Sequence, residues 1–429
     1  MRPAVRLLSG AIEGFYGQPW SEAERLQLFE WIAAWGLDTY LYAPKDDLHH
    51  RALWREPYAA PEADGLRALV RGCVDRRLRF VYGLSPGLDI DYGSDDELHR
   101  LLQRFEQMMS VGCNDFALLF DDIPATPDPR WGSLAAAQCR VANAVFEWLR
   151  ARRADARLLF CPTAYCGRMV AAQLGGADYL PTIGRELHAE IGIFWTGPYI
   201  ISSEITVPHI RETAAILRRK PVIWDNLHAN DYDGRRFFCG PYAGRALELR
   251  DEVDGLLTNP NSEFPLNYVP LRTFGQFVRA DGAWNPRGAY LEAMREWAPA
   301  FVTARTPIAF DDLLLFGDCY YLPKEFGAEA EALVAAARRM VDDGDADAAG
   351  TYRALAARLR AACEAMTELR DRRLFHALSR RLWELREELD LLERFVAARA
   401  SGSAVPASSH RGGMVGQLER FRLERTPVP

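Results

Sequence analysis

Within roughly its first 260 residues the chain repeats one cycle eight times: a short apolar run, a polar turn, then a stretch with helical spacing. The apolar runs are Val5–Ile12, Thr39–Ala43, Phe80–Leu84, Phe116–Phe120, Leu158–Cys161, Ile191–Trp195, Pro221–Trp224 and Gly255–Leu257. They are short and almost unbroken in hydrophobicity, as strands covered on both faces must be. Ser21 with Glu24, and Ser94 with Glu97, stand at capping-box spacing before Leu26–Trp35 and Leu98–Met109, and Gly36 and Gly112 follow as stops. Eight strands that each lead into a helix or loop predict an α/β chain whose residues 1–285 form a (β/α)8 TIM barrel. The competing arrangement is a doubly wound open sheet, because periodicity does not show closure. No glycine-rich phosphate loop follows any run.

From about Arg287 the pattern turns almost wholly helical, which predicts an all-α helical bundle over residues 286–400. Phe310–Phe316 is apolar and Ala328–Met340 amphipathic, and Tyr352, Leu355, Leu359, Ala362, Met366 and Leu369 keep helical spacing. Leu374, Leu378, Leu382, Leu385, Leu389, Leu392 and Val396 form a narrow seam of the kind that packs helix on helix. Two uses stay open for it: packing within one chain, or pairing two copies into a homodimer. Residues 401–429, rich in Gly and Ser at Ser408–Gly413, are expected to be a flexible tail with room for a short helix over Val415–Leu423.

In a parallel barrel the reactive groups sit where strands end, and here unusual residues cluster at those ends. The first run leads into Glu13–Gly17, the second into Lys45, Asp46 and Asp47, and the fourth into Asp121 and Asp122. The fifth reaches Tyr165, the sixth Trp195–Pro198, the seventh Trp224, Asp225, Asn226 and then Asp231, and the eighth Asn259. Singly these are ordinary turn residues; together they predict a concave pocket of carboxylates, amides and aromatics, which suits a sugar. Asp121 and Asp122 either cap a turn or pair with Arg130, or else face one cavity. In the last case repulsion and burial separate their protonation states, as glycosidic cleavage requires. Adjacent residues are poorly placed to flank an anomeric carbon from opposite faces. One acid beside one residue that orients a substrate group, with the sugar's acetamido oxygen as nucleophile, fits them better.

The net charge of −7, spread over interspersed acids and bases, argues against nucleic acid as a partner. No run is long and apolar enough to cross a bilayer, and no signal core fits between Met1 and Gly10, so a soluble cytoplasmic protein is expected. The eight scattered cysteines read as free buried thiols. Asp46, Asp47, His49 and His50 lack zinc-site spacing, so no metal and no cofactor is expected.

Taken in order, Glu13–Trp20 (EGFYGQPW), Tyr42–Asp47 (YAPKDD), Leu119–Ile123 (LFDDI), Phe160–Cys166 (FCPTAYC), Trp195–Pro198, Ile223–Asp233 (IWDNLHANDYD), Gly240–Tyr242 and Thr258–Asn261 (TNPN) resemble glycoside hydrolase family 84. The resemblance covers about residues 8–280 and extends to Leu314–Phe316 and Tyr321–Pro323. It implies a barrel followed by a helical stalk that pairs two copies, and a retaining β-N-acetylglucosaminidase working by substrate assistance. It also implies roles. Asp121 would orient the 2-acetamido group, and Asp122 would be the acid and then the base. Tyr165 and Asn226 would hold the acetamide, and Trp224 would wall the pocket for its methyl. Asp225 is placed in the binding set with its strand, Asp231 would take distal hydroxyls, and the Gly14 backbone, Lys45 and Asn259 would bind the remaining hydroxyl. The expected substrate is N-acetylglucosamine on Ser or Thr of a protein, with free glycans or cell-wall fragments, or sugar binding without turnover, as the alternatives. Ala164 stands where the family often has an acidic residue. The linker and appended domains of larger members are expected to be missing.

Overall fold

The computed structural model describes residues 7–125 and 129–403. Among them, eight parallel strands close a barrel in sequence order. They are β1 (Leu8–Glu13), β2 (Thr39–Tyr42), β3 (Arg79–Leu84), β4 (Asp115–Leu119), β5 (Arg157–Cys161), β6 (Gly192–Trp195), β7 (Val222–Asp225) and β8 (Gly255–Thr258). Where the expected and observed ends can both be described, they differ by no more than one residue; the expected start at Val5 lies outside the described residues. Closure is made by β8 lying beside β1, with Ala11 opposite Thr258, and this excludes the open sheet.

The helix Glu22–Ala34 shows why the chain turns back after β1. Ser21 Oγ accepts from Glu24 N at 3.3 Å while Glu24 Oε2 accepts from Ser21 N at 2.8 Å, satisfying two amides that the first turn would leave orphaned. Gly36 stands at φ +78° just past the helix end, a geometry that disfavours any side chain. Ser94 caps Asp95–Ser110 in the same manner, by accepting from Glu97 N.

Ile12, Leu41, Val81, Leu119, Leu159 and Leu257 pack together inside the barrel, and Tyr165 and Trp224 belong to the same cluster. Two expected site residues therefore rest directly on packed core, which is what gives a pocket wall a fixed shape.

The chain divides into two compact units. The segments 232–241 and 263–270, from the loops after β7 and β8, group with the chain from Arg287 on. In this second unit Arg372–Ala400 packs on Ala328–Asp343 and Ala346–Met366. Tyr352 Oη donates to Leu389 O at 3.1 Å, and Tyr320 Oη to Arg381 O at 2.8 Å. Asp318, fully buried, takes a two-pronged bond from Arg287 at 2.7 and 2.8 Å. The seam leucines Leu374, Leu378, Leu382, Leu385, Leu389 and Leu392 are buried within the single chain. At about 1.5–3 kcal/mol per buried leucine this is a large share of the unit's stabilisation, and it leaves the seam unable to serve as a contact between copies. The Val396 side chain and the tail from residue 404, with its expected helix over 415–423, lie outside what is described.

All eight cysteines are buried and free, as their scatter implied. No helix among the described residues is long and apolar enough to cross a membrane.

Candidate active site

β4 delivers its two carboxylates into different surroundings. Asp121 is buried, and its Oδ2 accepts from the equally buried Lys45 Nζ at 2.5 Å. Burial works against charge on Asp121, but the Lys45 ammonium and its hydrogen bond outweigh it and hold the carboxyl below the usual carboxylate range. The same balance, read from the other side, raises Lys45 above the usual amine value despite its burial. The other oxygen, Asp121 Oδ1, is buried with no donor among the described residues.

Asp122, one residue on, is exposed and has φ +52°. Its Oδ1 accepts from Tyr165 Oη at 2.7 Å and its Oδ2 from Tyr16 Oη at 3.0 Å. Burial and the neighbouring carboxylate push Tyr165 well above the ordinary tyrosine range, so it stays a protonated donor. Tyr165 sits at the tip of the β5 connection, where its carbonyl accepts from Thr196 N at 3.0 Å. Arg130, the rival partner for these acids, instead reaches Asp91 at 3.3 Å.

At the opposite side of the mouth, β7 and β8 supply an amide chain. Trp224 Nε1 donates to Asn226 Oδ1 at 3.0 Å, Asn259 Nδ2 donates to the same oxygen at 3.0 Å, and Asn226 Nδ2 donates to Ile200 O at 2.9 Å. Asn259 Oδ1 is left buried without a donor among the described residues. Trp224 meets Phe194 edge to face at 5.3 Å and backs on Gly14, where a Cβ would stand 2.4 Å from the indole Cζ2. Asp231 Oδ2 accepts from Tyr16 N at 3.0 Å, tying the β7 connection to that of β1.

Gly14, Trp224, Asn226 and Asn259 are thus brought together on one side, and Lys45, Asp121, Asp122 and Tyr165 on the other. Two positions hold contacts that the expectation did not include. Lys45 stands behind Asp121 as its counter-ion. Asp225 is built into the barrel wall: Arg245 binds it through Nε and Nη2 at 2.8 Å each, Tyr242 Oη donates at 2.7 Å, and Leu227 N at 3.1 Å. With both oxygens engaged and 1% exposure, Asp225 has no lone pair directed to a ligand.

Sequence reasoning passed over Tyr16 and Arg51. Tyr16 lay inside the recognised Glu13–Trp20 segment and was signalled only by being an aromatic after a strand. Arg51 carried no signal. The Asp46–His50 cluster dissolves into separate tasks: Asp47 Oδ2 takes Tyr42 and Tyr58 at 2.6 and 2.8 Å, Asp46 takes Gly17 N at 2.9 Å, and His50 Nδ1 bonds Gly83 O at 2.8 Å. Among the described residues no three His, Cys, Asp or Glu side chains are grouped to hold a metal.

A barrel mouth with two buried, undonated acceptors beside an exposed carboxyl is a site for a neutral polar ligand bearing N–H and O–H groups. The family model described as beta-N-acetylglucosaminidase matches residues 9–310. The chain belongs to that family. The match takes in every site residue named above and continues past the barrel into Phe310. Protein O-GlcNAcase of Rattus norvegicus and of Mus musculus are each 43% identical over 282 residues, 65% of this chain and 30% of theirs. The chain therefore spans about a third of the length of these relatives. A solved structure of an aspartate-to-asparagine variant of Thermobaculum terrenum O-GlcNAc hydrolase superposes with a TM-score of 0.79 at 27% identity, over 92% of this chain and 84% of that one. Its span includes the helical region, so likeness of fold reaches into both units, while the family model ends at residue 310.

Proposed function

We propose that this chain is a retaining β-N-acetylglucosaminidase that removes N-acetylglucosamine from Ser or Thr of proteins, with the sugar's own acetamide as nucleophile. The observation that carries the reading is the difference between the two adjacent carboxylates. Asp121 is fixed in its charged form with one oxygen on Lys45 and the other undonated, which is the acceptor an acetamide N–H needs. Held so, the acetamide turns its carbonyl oxygen toward C1. That oxygen attacks C1 as the glycosidic bond breaks, and Asp122 protonates the leaving oxygen. Asp122, now a carboxylate, then takes a proton from water, whose oxygen attacks C1 and opens the oxazoline with retention. Positive charge grows on the acetamide nitrogen in the first step, so a carboxylate there stabilises the transition state more than the ground state.

Trp224 walls the space for the acetyl methyl, and Asn259 Oδ1 is the acceptor for a ring hydroxyl. Tyr165 donates to Asp122 in the free enzyme and is within the same group of residues that would receive the acetamide. Eight free, buried thiols favour a reducing, cytoplasmic setting. Pairing of copies, if the helical unit provides it, must use its outward face, where Trp383 is exposed, since the seam is internal.

The test is turnover of aryl β-N-acetylglucosaminides with a thiazoline mimic of the oxazoline as inhibitor. Binding of the mimic far tighter than substrate is expected, and a glycosyl ester trapped on an aspartate or glutamate would end the substrate-assisted reading. Comparing a glycosylated peptide with chitobiose then separates protein from free-glycan substrates, and light scattering at micromolar concentration decides the oligomeric state.

A further inference from the structure

Asp122 is one of few side-chain-bearing residues here with positive φ, at +52°. Such a conformation persists only where surrounding groups enforce it. The group that reaches it is Arg51, 8% exposed, from the connection after β2. Arg51 Nη2 donates to the carbonyl oxygen of Asp122 at 2.7 Å, and Arg51 Nη1 donates to Tyr16 Oη at 2.6 Å. Tyr16 Oη in turn donates to Asp122 Oδ2 at 3.0 Å. Guanidinium, phenol, carboxyl and main-chain carbonyl thus form a closed ring that fixes the backbone and the side chain of the same aspartate together.

The ring stands on a rigid footing. His50, fully buried, is pushed down to about 4 by burial and so is neutral, with its Nδ1 proton donated to Gly83 O at 2.8 Å. Ser85 N donates to His50 O at 2.9 Å, and Arg104 Nη1 to His49 O at 2.9 Å. The peptide bearing Arg51 is therefore fastened to the end of β3.

We propose that Arg51 is a positioning residue for the acid: it holds the Asp122 main chain in its left-handed turn and, through Tyr16, sets the direction of the Asp122 carboxyl. The inference rests on Asp122 being the general acid. A lone positive charge at this place would not do the same work. The flat guanidinium carries two donors in fixed relation, one for each acceptor, whereas an ammonium on a flexible stem does not hold two acceptors in one plane. Tyr16, 42% exposed and on the longer of the two phenol bonds, is the partner that yields when a leaving oxygen approaches Oδ2; Tyr165, buried and at 2.7 Å, keeps Oδ1.

The experiment measures kcat/KM of the full chain on aryl β-N-acetylglucosaminides running from 2,4-dinitrophenyl, which leaves without a proton, to phenyl, which needs one. Asp122→Asn, Arg51→Met, Arg51→Lys and Tyr16→Phe are compared with the parent, and the inhibition constant of a thiazoline is taken for each. Since acid assistance is worth roughly 10²–10⁴-fold, partial misplacement in either Arg51 variant should cost about 10–10²-fold on the phenyl substrate and under about threefold on the dinitrophenyl one. Thiazoline inhibition should be unchanged, because it depends on the Asp121 side of the site. Tyr16→Phe should show a slope in the same direction but shallower, with a smaller loss on the phenyl substrate. Equal loss on all leaving groups in the Arg51 variants would make Arg51 a structural residue only, and recovery of the parent slope by Arg51→Lys would make its charge the whole effect; either overturns the proposal. If Arg51→Met does not fold, Arg51→Lys and Tyr16→Phe decide alone, and a flat response in both overturns it. A flat response in Asp122→Asn would instead remove the acid assignment itself, a result distinct from a steep Asp122→Asn beside flat Arg51 variants.

Discussion

The ends of β4 and β7 present the same feature with opposite outcomes. Each has a buried aspartate facing a buried cation: Asp121 with Lys45 and Asp225 with Arg245. At β7 the planar guanidinium reaches both carboxylate oxygens, Tyr242 adds a third bond, and nothing is left for a ligand. At β4 the ammonium is a point donor that holds one oxygen and leaves the other undonated. The shape of the counter-ion separates a wall from a site. An incompletely satisfied buried group costs stability in the free protein, and that cost is recovered only when a ligand supplies the missing donor.

The comparison breaks most directly at the two aspartates. Asp121→Asn should lower kcat by about 10²–10³-fold, as loss of a preorganised charge at the developing positive centre does, whereas Asp225→Asn should leave kcat per folded molecule near the parent value. Both strand a buried cation, so both should lose about 3–5 kcal/mol in urea denaturation. A fall in rate for Asp225→Asn comparable to that of Asp121→Asn would erase the distinction.

A large effect restricted to some substrates is expected next door. Asp122→Asn should reduce turnover of poor leaving groups by roughly 10²–10⁴-fold and spare the first step on activated aryl glycosides; uniform loss would place the acid elsewhere.

The Lys45 charge is expected to appear in the pH profile. Asp121 is held below its ordinary value, so its share of stability and activity is present above the unfolded carboxylate value and is lost as pH falls through the lower folded one. In Lys45→Met burial is opposed only by the Arg51 charge and the residue's own amide, so the acid limb of kcat/KM should move to higher pH. An unmoved limb would mean that Lys45 does not set the Asp121 charge.

The smallest effect belongs to the wall. Tyr242→Phe removes one charge-assisted bond to Asp225 and should cost about 1.5–3 kcal/mol in denaturation, with hydrolysis of an aryl glycoside unchanged. A drop in kcat would show that Asp225 serves the site through its orientation.

What the sequence disclosed follows from range. Strands such as Phe116–Phe120 were legible because burial on both faces writes itself into consecutive residues. Asp121, Asp122 and Trp224 were legible because each directly follows or ends such a run. Asp225 was assigned to the ligand because its strand-end position is local information, while Arg245, 20 residues on, is not marked as its partner. Lys45 was expected to bind a sugar hydroxyl, and its contact to Asp121, 76 residues away, was not readable. Arg51, in a Leu-His-His-Arg stretch, looks like any solvated loop charge, since its value comes from a carbonyl 71 residues away. For Leu374–Leu392 the period showed that a face is buried but not against which helix.

The contact between Gly14 and Trp224 bears on how this pocket changes by mutation. With the indole hydrogen-bonded to Asn226 and packed on Phe194, it does not swing aside, so any side chain at position 14 collides with it at 2.4 Å. Shrinking Trp224 removes the nearest obstacle, leaving Ile12 Cγ2 at 2.9 Å, and enlarges the space proposed for the acetyl methyl. The two positions are therefore epistatic in a directional sense: a substitution at 14 is more harmful before the tryptophan is cut down than after it. With the acetyl methyl against Trp224, as proposed, a path toward bulkier N-acyl sugars passes through position 224 first.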